Sequence, residues 1–422
     1  MYNSLDYNNQ NIEVIPQSKD RIIAINFENI NDYYRKGYFV FYNDSNELSC
    51  VLVKPSTISY IKRKYNNIIK FYSVTEKDLF SILEQSFSQL ITHKSQHYLS
   101  LVSKDVSAKT VDYKKMITGF LLLFTISLLF FSNLFHFANN AIYLAQNFFK
   151  MLLFKRSIAK NLNPPLPTFK KHEGKIPIYT IFVPLYKEVR KLRSIIRAID
   201  NLDYPKSKLD VKFIIEADDK ETIKALSIID LPRYIHVIKV PFSLPRTKPK
   251  AMNYATAYIK GDYLCIYDAE DKPDSDQLLK ALHAFKQLPE EYACVQARLN
   301  FYNSEENLLT RFFSMEYTLW FEYLLKGLDL YGLPITLGGT SNHFKVSVLK
   351  KIGYWDAYNV TEDADLGIRL YSKGYKVHII DSKTLEEAPI SLGNWLTQRT
   401  RWIKGFIQTI YIFLLSPKNY QV

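Results

Sequence analysis

The spacing of hydrophobic positions changes several times along this 422-residue chain, and each change predicts a different kind of element. Between residues 21 and 100, short β-branched and aromatic runs are followed by longer runs with helical spacing. This order predicts a small α+β N-terminal domain over residues 21–112. The preceding residues, 1–20, are polar and rich in asparagine, which predicts a disordered tail rather than a cleavable signal peptide.

A segment without Asp, Glu, Lys or Arg follows, over residues 116–149. One membrane-crossing helix needs about 20 apolar residues, so this segment is long for one crossing and just sufficient for two. Basic residues flank both ends, and such residues favour the cytoplasmic side. We therefore expect a transmembrane hairpin over residues 113–156 with its turn near residues 136–140. One tilted span plus an interfacial helix is the alternative.

From residue 176, short β-branched runs alternate with runs of helical spacing, and a proline-bearing linker over residues 161–167 leads into this region. Such alternation predicts an α/β domain with a mostly parallel, Rossmann-like sheet and helices on both faces, here over residues 157–402. The last apolar run is too short to cross about 30 Å of hydrocarbon. Residues 403–422 are therefore expected to form an interfacial helix and the C-terminus.

Acidic residues follow two of the predicted strands. Asp218 and Asp219 come after one strand, and Asp268, Glu270 and Asp271 come after another. Because ligands of such sheets lie beyond the carboxyl ends of the strands, these acids can meet in one crevice. Carboxylate oxygens are the ligands that Mg²⁺ and Mn²⁺ prefer. A solvated turn is the simpler explanation of either group alone, whereas two groups at equivalent positions favour a binding site.

The charge balance points to anionic partners. The chain carries 55 Lys plus Arg against 42 Asp plus Glu, a formal charge of +13. Nucleotide phosphates fit this excess, and so does an acidic lipid surface. Nucleic acid does not, because the basic residues form no single stripe with interleaved aromatic residues. Lys250 lies near the start of a predicted helix, where its charge and free backbone N–H groups can contact a phosphate. The three cysteines show no metal-binding spacing, in keeping with a reducing compartment.

Two further motifs lie near the end of the predicted domain. Thr361, Glu362 and Asp363 begin a run with helical spacing. Helix capping explains this motif by itself, because threonine is a good N-cap and acids favour the first turn. The motif Gln398-x-x-Arg401-Trp402 instead combines an amide, a guanidinium and an indole, which suit phosphate and sugar.

Taken in order, these motifs resemble those of the family 2 membrane glycosyltransferases, the relatives of cellulose, hyaluronan and poly-N-acetylglucosamine synthases. The resemblance covers roughly residues 177–417. Its motifs are Pro184-x-x-x-Glu188, Asp218-Asp219, Lys250-Ala-x-Asn253, Asp268-Ala-Glu270, Thr361-Glu-Asp363 and Gln398-x-x-Arg401-Trp402.

The resemblance implies a GT-A fold that binds a nucleotide-sugar, with a UDP-sugar as the expected donor. Asp218 would meet the base, with Glu188 and Asp219 close by. Lys250 would contact the pyrophosphate, and Asp268 would bind the donor through a metal ion.

For catalysis, the resemblance implies an inverting transfer that depends on Mg²⁺ or Mn²⁺. Asp268 and Glu270 would be the two metal ligands, and Asp363 would be the general base. Gln398, Arg401 and Trp402 would line the acceptor site.

Two departures from the family pattern leave alternatives open. The family shows Asp-x-Asp where this chain has Glu270 followed by Asp271, so either residue can be the second ligand. Family members also continue into channel-forming helices, whereas this sequence ends soon after Trp402. The resemblance therefore implies a multi-pass enzyme of the inner (cytoplasmic) membrane with a cytoplasmic catalytic domain. It would extend a polysaccharide or other glycan. Either it adds only one or few sugars by itself, or it requires a membrane partner that forms the channel.

Other functions are also compatible with the sequence. One is a non-processive transferase with a lipid-linked acceptor. Another is an inactive membrane-bound assembly subunit or truncated gene product, although acids at all the expected positions argue against decay. The order of elements in the N-terminal domain resembles the N-terminal domain of type II secretion ATPases.

Overall fold

The computed structural model describes residues 27–42, 48–65, 68, 70–103, 106–130, 132–159 and 176–415. The predicted tail over residues 1–20 and the predicted linker over residues 161–167 lie outside these ranges.

In the part of the N-terminal region that the structure describes, a three-stranded sheet lies beside three α-helices. The elements are α1 (Phe27–Lys36), β1 (Tyr38–Tyr42), β2 (Leu48–Leu52), α2 (Ile58–Lys64), β3 (Lys70–Ser73) and α3 (Glu76–Val102). β1 pairs with β2 in antiparallel fashion, and β2 pairs with β3 in parallel. A capping box between Thr75 and Asp78 starts α3, because each residue satisfies a backbone N–H of the other.

This region shares a hydrophobic core with the main domain. Asn31 Nδ2 donates a hydrogen bond to the carbonyl oxygen of Ile259 at 2.9 Å. Lys212, which is fully buried, lies 2.6 Å from Asp210 Oδ1 and donates to the hydroxyl of Tyr34 at 2.9 Å. Because a buried ammonium needs hydrogen-bond partners, the N-terminal region completes the environment of this lysine.

Two helices connect the N-terminal region to the main domain, α4 (Tyr113–Phe130) and α5 (Ser132–Ala159). Within the described ranges, no helix by itself is both long and apolar enough to cross a membrane. The two helices together satisfy both conditions, but the chain bends by 114° between them. The predicted hairpin of two spans is therefore not supported. Its predicted turn near residues 136–140 is wrong, because those residues lie inside α5.

The main domain is built on an eight-stranded mixed sheet in the order β6-β5-β4-β7-β10-β9-β11-β8. The strands are β4 (Tyr179–Leu185), β5 (Leu209–Glu216), β6 (Ile235–Val240), β7 (Tyr263–Ile266), β8 (Lys272–Pro273), β9 (Tyr292–Phe301), β10 (Asn342–Lys345) and β11 (Lys376–Glu386). β4 to β7 are parallel, as predicted, whereas β10 runs antiparallel to both of its neighbours. β11 is parallel to β9.

Helices cover both faces of this sheet. They are α6 (Leu192–Asp200), α7 (Lys220–Ile228), α8 (Lys248–Ala255), α9 (Gln277–Gln287), α10 (Leu308–Tyr317), α11 (Leu325–Leu330), α12 (Val346–Lys351), α13 (Glu362–Ser372) and α14 (Leu392–Leu415). A π-helical turn, Thr318–Leu324, joins α10 to α11. The run predicted as a separate interfacial helix is thus the second half of the 24-residue α14.

The parallel pairing determines where the site lies. β4 pairs in register with β5 and β7, so these strands end at the same edge of the sheet. Residues 186–188, 217–219 and 267–271 therefore follow one another along that edge, which confirms the sequence-based reasoning about strand ends.

Candidate active site

The acids after β7 form the centre of the site. The carboxylate of Asp268 lies 2.5 Å from Lys248 Nζ, and its backbone N–H donates to Asp271 Oδ2 at 2.7 Å. The hydroxyl of Thr340 donates to the same Asp271 oxygen. Asp271 is fully buried, and its Oδ1 has no hydrogen-bond partner. Asp271 thus shapes the turn, while Asp268 and Glu270 remain partly exposed beside it.

Lys248 is the cation that faces these acids. It occupies the first turn of α8, which Thr247 caps by accepting a hydrogen bond from the backbone N–H of Lys250. Its ammonium also donates to the carbonyl oxygen of Gly339 at 3.0 Å. Burial lowers the pKa of Lys248, but the neighbouring carboxylates of Asp268 and Glu362 raise it by more. Lys248 is therefore held as a cation within the acid cluster.

Lys250 does not lie where the sequence predicted. Its side chain is fully buried, and its ammonium lies 2.8 Å from Glu216 Oε1. The physical reason is the helix itself: two residues correspond to about 200° of rotation, so Lys248 and Lys250 point in opposite directions. Lys248, rather than Lys250, thus faces the acid cluster that follows β7.

Carboxylates outnumber cations in this part of the site. Burial and the charge of Asp268 raise the pKa of Glu270 to about 7. Burial and Asp363 likewise raise the pKa of Glu362 to about 7. Burial and Asp271 hold the pKa of Glu386 well above its ordinary value. An excess of negative charge at close range is the electrostatic environment that a cationic ligand relieves.

Glu386 was missed by the sequence analysis. It ends β11, which lies beside β9 and β8 and so reaches the same crevice. The pattern that identified the other acids, carboxylates at the end of a strand, also applies to Glu386 and Glu387 and could have identified them. The strand itself had not been predicted.

The donor set fits a divalent cation, although the side chains do not enclose one as they lie. Among the described residues, no three acidic, histidine or cysteine side chains converge on a common point. The chemistry nevertheless suits a hard cation, because Asp268 and Glu270 offer carboxylate oxygens and Asp271 Oδ1 is a buried acceptor without a partner. The raised pKa of Glu270 reports the same local excess of negative charge.

Asp363 lies in the first turn of α13 next to the acid cluster. Its Oδ1 accepts a hydrogen bond from the backbone N–H of Ala364 at 2.8 Å. A Cβ atom at position 339 would come within 3.3 Å of its Oδ2, so Gly339 leaves the carboxylate accessible. Burial raises the pKa of Asp363, while the backbone N–H of Ala364 and the charges of Lys248 and Arg401 oppose this shift. A carboxylate with a raised pKa is a better proton acceptor.

A second group of side chains lies at the ends of β4 and β5. Asp218 pairs with Arg246 at 2.8 Å, and the guanidinium of Arg246 lies over the ring of Tyr186 at 4.5 Å. Asp219 instead accepts the backbone N–H of Lys187 at 2.6 Å and caps α7. Tyr186 and Arg246 were missed by the sequence analysis. Of these two, only Tyr186 could have been identified from the sequence, as an aromatic residue just past the end of a strand.

Glu188 lies between these two groups. Burial raises its pKa, Lys191 lowers it, and the charges of Asp268 and Glu387 raise it further. The structure thus brings Glu188 close to the acid cluster, whereas the sequence analysis expected it beside Asp218 and the nucleobase.

The motif at the end of the domain lies on α14. The indole of Trp402 packs against the rings of Phe313 and Tyr317, with centroids 6.1 and 6.5 Å apart. Arg399, which the sequence analysis did not select, pairs with Glu316 at 2.8 Å and stacks on Trp402 at 4.8 Å.

The other two motif residues remain available for a ligand. Gln398 Oε1 is buried and has no hydrogen-bond partner. Arg401 is exposed and lies close enough to Asp363 to influence its pKa.

Comparison with known proteins shows that part of the chain is similar to glycosyltransferases. Residues 263–420 match the family model described as glycosyl transferase family group 2. The matched residues include Asp268, Asp363 and Trp402. A probable glycosyltransferase of Bacillus subtilis (strain 168), YdaM, is 28% identical over 256 residues, which cover 59% of this chain and 60% of that protein. Residues 263–420 are thus similar to a glycosyltransferase family, and both similarities support the prediction of a glycosyltransferase.

Solved structures with a similar chain trace are also glycosyltransferases. The mannosyltransferase PcManGT from Pyrobaculum calidifontis, in complex with GDP-Man and Mn²⁺, is 20% identical. The similarity has a TM-score of 0.48 and covers 64% of this chain and 72% of that one. S. aureus TarS 1–349 in complex with UDP-GlcNAc is 12% identical, with a TM-score of 0.36, over 50% of this chain and 59% of that one. The mixed α/β sheet is compatible with the GT-A fold that the sequence resemblance implies.

Proposed function

We propose that this chain transfers a sugar from a nucleotide-sugar to a hydroxyl acceptor, with inversion at the anomeric carbon. The observation that carries the proposal is the excess of carboxylates around Lys248 at the carboxyl ends of parallel strands. Such an excess has no structural use, because burying unpaired charges costs free energy of folding. It suits a ligand that brings positive charge and a diphosphate together.

The donor would lie across the strand ends. Tyr186, Arg246 and Asp218 offer a ring, a guanidinium and an acceptor for a nucleobase, and uracil is the base expected from the family resemblance. Lys248 would contact the diphosphate, because its ammonium faces the site and α8 begins there.

A divalent cation would be held by Asp268 and Glu270. When bound, it neutralises the charge of the departing diphosphate. Glu270 fits the second ligand position better than Asp271, because Asp271 Oδ2 already accepts hydrogen bonds from the backbone N–H of Asp268 and the hydroxyl of Thr340.

The chain's own residues would perform the proton transfer. The acceptor hydroxyl attacks the anomeric carbon as the bond from that carbon to the diphosphate oxygen breaks. Asp363 takes the hydroxyl proton, and the nucleoside diphosphate leaves on the opposite side. The raised pKa of Asp363 favours this role. Gln398, Arg401 and Trp402 would hold the acceptor beside it.

The acceptor would approach from a membrane surface. On α14, Ile403, Ile407, Ile410 and Leu414 follow helical spacing on one exposed side. The apolar side chains of α4 and α5 are also mostly exposed. These surfaces support a location at the cytoplasmic face of the inner membrane. A lipid-linked acceptor is the second candidate beside a glycan, because this apolar side of α14 continues from Trp402.

The test is release of nucleoside diphosphate by the purified full chain. UDP-sugars and GDP-sugars are offered separately with Mn²⁺, together with oligosaccharide or lipid-linked acceptors. We expect release with one class of donor and a strong increase when an acceptor is present. Absence of release with every combination would contradict the proposed function.

A further inference from the structure

The loop between α12 and α13, residues 352–361, leads directly into Asp363, and we call it the base loop. Other elements hold its first half. Arg369 of α13 donates to the carbonyl oxygens of Ile352 and Tyr354 at 2.9 and 2.8 Å. Asn253 of α8 donates to the carbonyl oxygen of Trp355 at 2.8 Å and accepts its N–H at 3.2 Å.

The second half of the base loop is held by α8 and α14. The hydroxyl of Thr247 donates to the carbonyl oxygen of Ala357 at 2.7 Å. Gln408 Oε1 accepts the N–H of Val360 at 3.2 Å, and Gln408 is almost completely buried. The base loop is thus hydrogen-bonded along its length, which restricts the position of the carboxylate that follows it.

A further anchor comes from outside the transferase domain. The hydroxyl of Ser107 donates to Asp356 Oδ1 at 2.9 Å, and the N–H of Ala108 donates to Asp356 Oδ2 at 2.5 Å. Ser107 lies in the segment between α3 and α4, a few residues before α4 begins. Both Ser107 and Asp356 are buried, with exposed fractions of 2% and 1%.

The anchor is strong for a physical reason. Burial, with the charge of Asp365, raises the pKa of Asp356 to about 6, so the carboxylate is ionised at neutral pH. A buried carboxylate depends on its hydrogen bonds, here from Ser107, Ala108 and the N–H of Tyr358. Loss of a donor leaves part of the charge without a partner, so the base loop is expected to shift.

Apolar packing joins the same parts of the chain. Leu99 of α3, Val106 and Val111 of the connecting segment, and Ile412 of α14 form one buried cluster. Tyr358 of the base loop packs against it. The base loop therefore packs against the segment that precedes α4, against α3 of the N-terminal region and against α14.

We propose that Asp356 and Ser107 are positioning residues, which couple the segment before α4 to the base loop and so to the carboxylate of Asp363. The catalytic consequence rests on the proposed function. Neither residue touches the donor or acceptor. The segment before α4 would be displaced, for example, when α4 changes its position in a membrane. Such a displacement would alter the rate of the transfer step without altering donor affinity.

The test compares Ser107→Ala and Asp356→Asn with the unmodified full chain at pH 7.5. Ser157→Ala is the matched control, because Ser157 is equally buried but donates only to Phe154 of its own helix. Hydrogen–deuterium exchange is followed for residues 355–366, and turnover is followed as kcat and the donor KM.

We expect exchange of residues 355–366 to rise about tenfold in both variants, as the loss of one hydrogen bond to a charged group implies. We expect kcat to fall about tenfold while the donor KM stays within about twofold. The control should change neither quantity by more than about twofold.

Two results would overturn the coupling. One is faster exchange confined to residues 106–112 in both variants. The other is a loss of kcat matched by an equal rise in the donor KM, which indicates general damage. If the unmodified chain turns over no donor, the proposed function fails, but the exchange of residues 355–366 still decides whether the coupling exists. Ser107→Ala retains the carboxylate and decides the matter if Asp356→Asn does not fold.

Discussion

The two sides of α8 differ in how their charges are paired: one side has a matched ion pair, and the other has more carboxylates than cations. On one side, Lys250 is paired with Glu216, the last residue of β5, and both are buried. On the other side, Lys248 meets Asp268 and lies close to further carboxylates such as Glu362.

The difference separates stability from function. A matched buried pair satisfies both charges, and the loss of one partner is costly for folding. An unmatched excess of carboxylates is itself unfavourable for folding, so it indicates a site for a cationic or metal-bound ligand. The contrast can be tested on each side.

The largest expected effect is on the unmatched side. Removal of divalent cations with EDTA should reduce transfer to background, and Mn²⁺ or Mg²⁺ should restore it, because the acid cluster needs positive charge to accept a diphosphate. The measurement is nucleoside diphosphate release before and after metal is restored. Full activity in chelator would show that Asp268 and Glu270 serve no metal.

The two lysines of α8 give the sharpest contrast. Lys250→Met should lower the free energy of unfolding by about 3–5 kcal/mol, because it leaves Glu216 buried without a partner. Lys248→Met should lower stability by less, because its partner Asp268 is partly exposed, and should weaken binding of the nucleoside diphosphate with Mn²⁺ about 10- to 100-fold. Chemical unfolding and calorimetric titration measure the two effects. If Lys248→Met instead caused the larger loss of stability and Lys250→Met the loss of binding, Lys250 would be the residue that contacts the diphosphate.

A smaller effect is expected where the N-terminal region meets the main sheet. Tyr34→Phe removes the hydroxyl that accepts a hydrogen bond from Lys212 and should lower the free energy of unfolding by about 1–3 kcal/mol. Tyr72→Phe is the control, because that side chain is 42% exposed. Equal stability of the two variants would indicate that the N-terminal region does not complete the environment of Lys212.

A comparable effect is a dependence of stability on pH. Burial lowers the pKa of His343 to about 3, and its ring bonds to Tyr179 at 2.8 Å and Gln277 at 3.2 Å. The unfolded chain takes up a proton near pH 6.5 and the folded chain does not. The contribution of His343 is therefore complete above pH 6.5 and is lost as the pH falls.

The slope of this loss is about 1.4 kcal/mol per pH unit below pH 6. Thermal unfolding of the protein and of His343→Asn between pH 4.5 and 7.5 isolates this slope, since other titrating groups contribute to both. Parallel pH profiles of the two proteins would contradict the buried neutral histidine.

The sequence was sufficient for those parts of the site that depend on local order. Acids that follow parallel strands must meet at one edge of the sheet, so Asp218 and Asp268 could be placed without a structure. The choice between Lys248 and Lys250 could not be made in that way, because it depends on which side of α8 faces the sheet. Glu386 was missed because β11 pairs with β9, which lies far away in sequence.

The central claim is that Asp363 accepts the acceptor's proton at a nucleotide-sugar site. The most direct measurement compares Asp363→Asn with the unmodified chain for two quantities, the rate of acceptor-dependent nucleoside diphosphate release and the affinity for the donor. Asp230→Asn is the control, because Asp230 is exposed at the far edge of the sheet, between α7 and β6. We predict that Asp363→Asn lowers the rate about 10²- to 10⁴-fold and leaves donor affinity unchanged. A rate within about threefold of the unmodified chain would contradict the account.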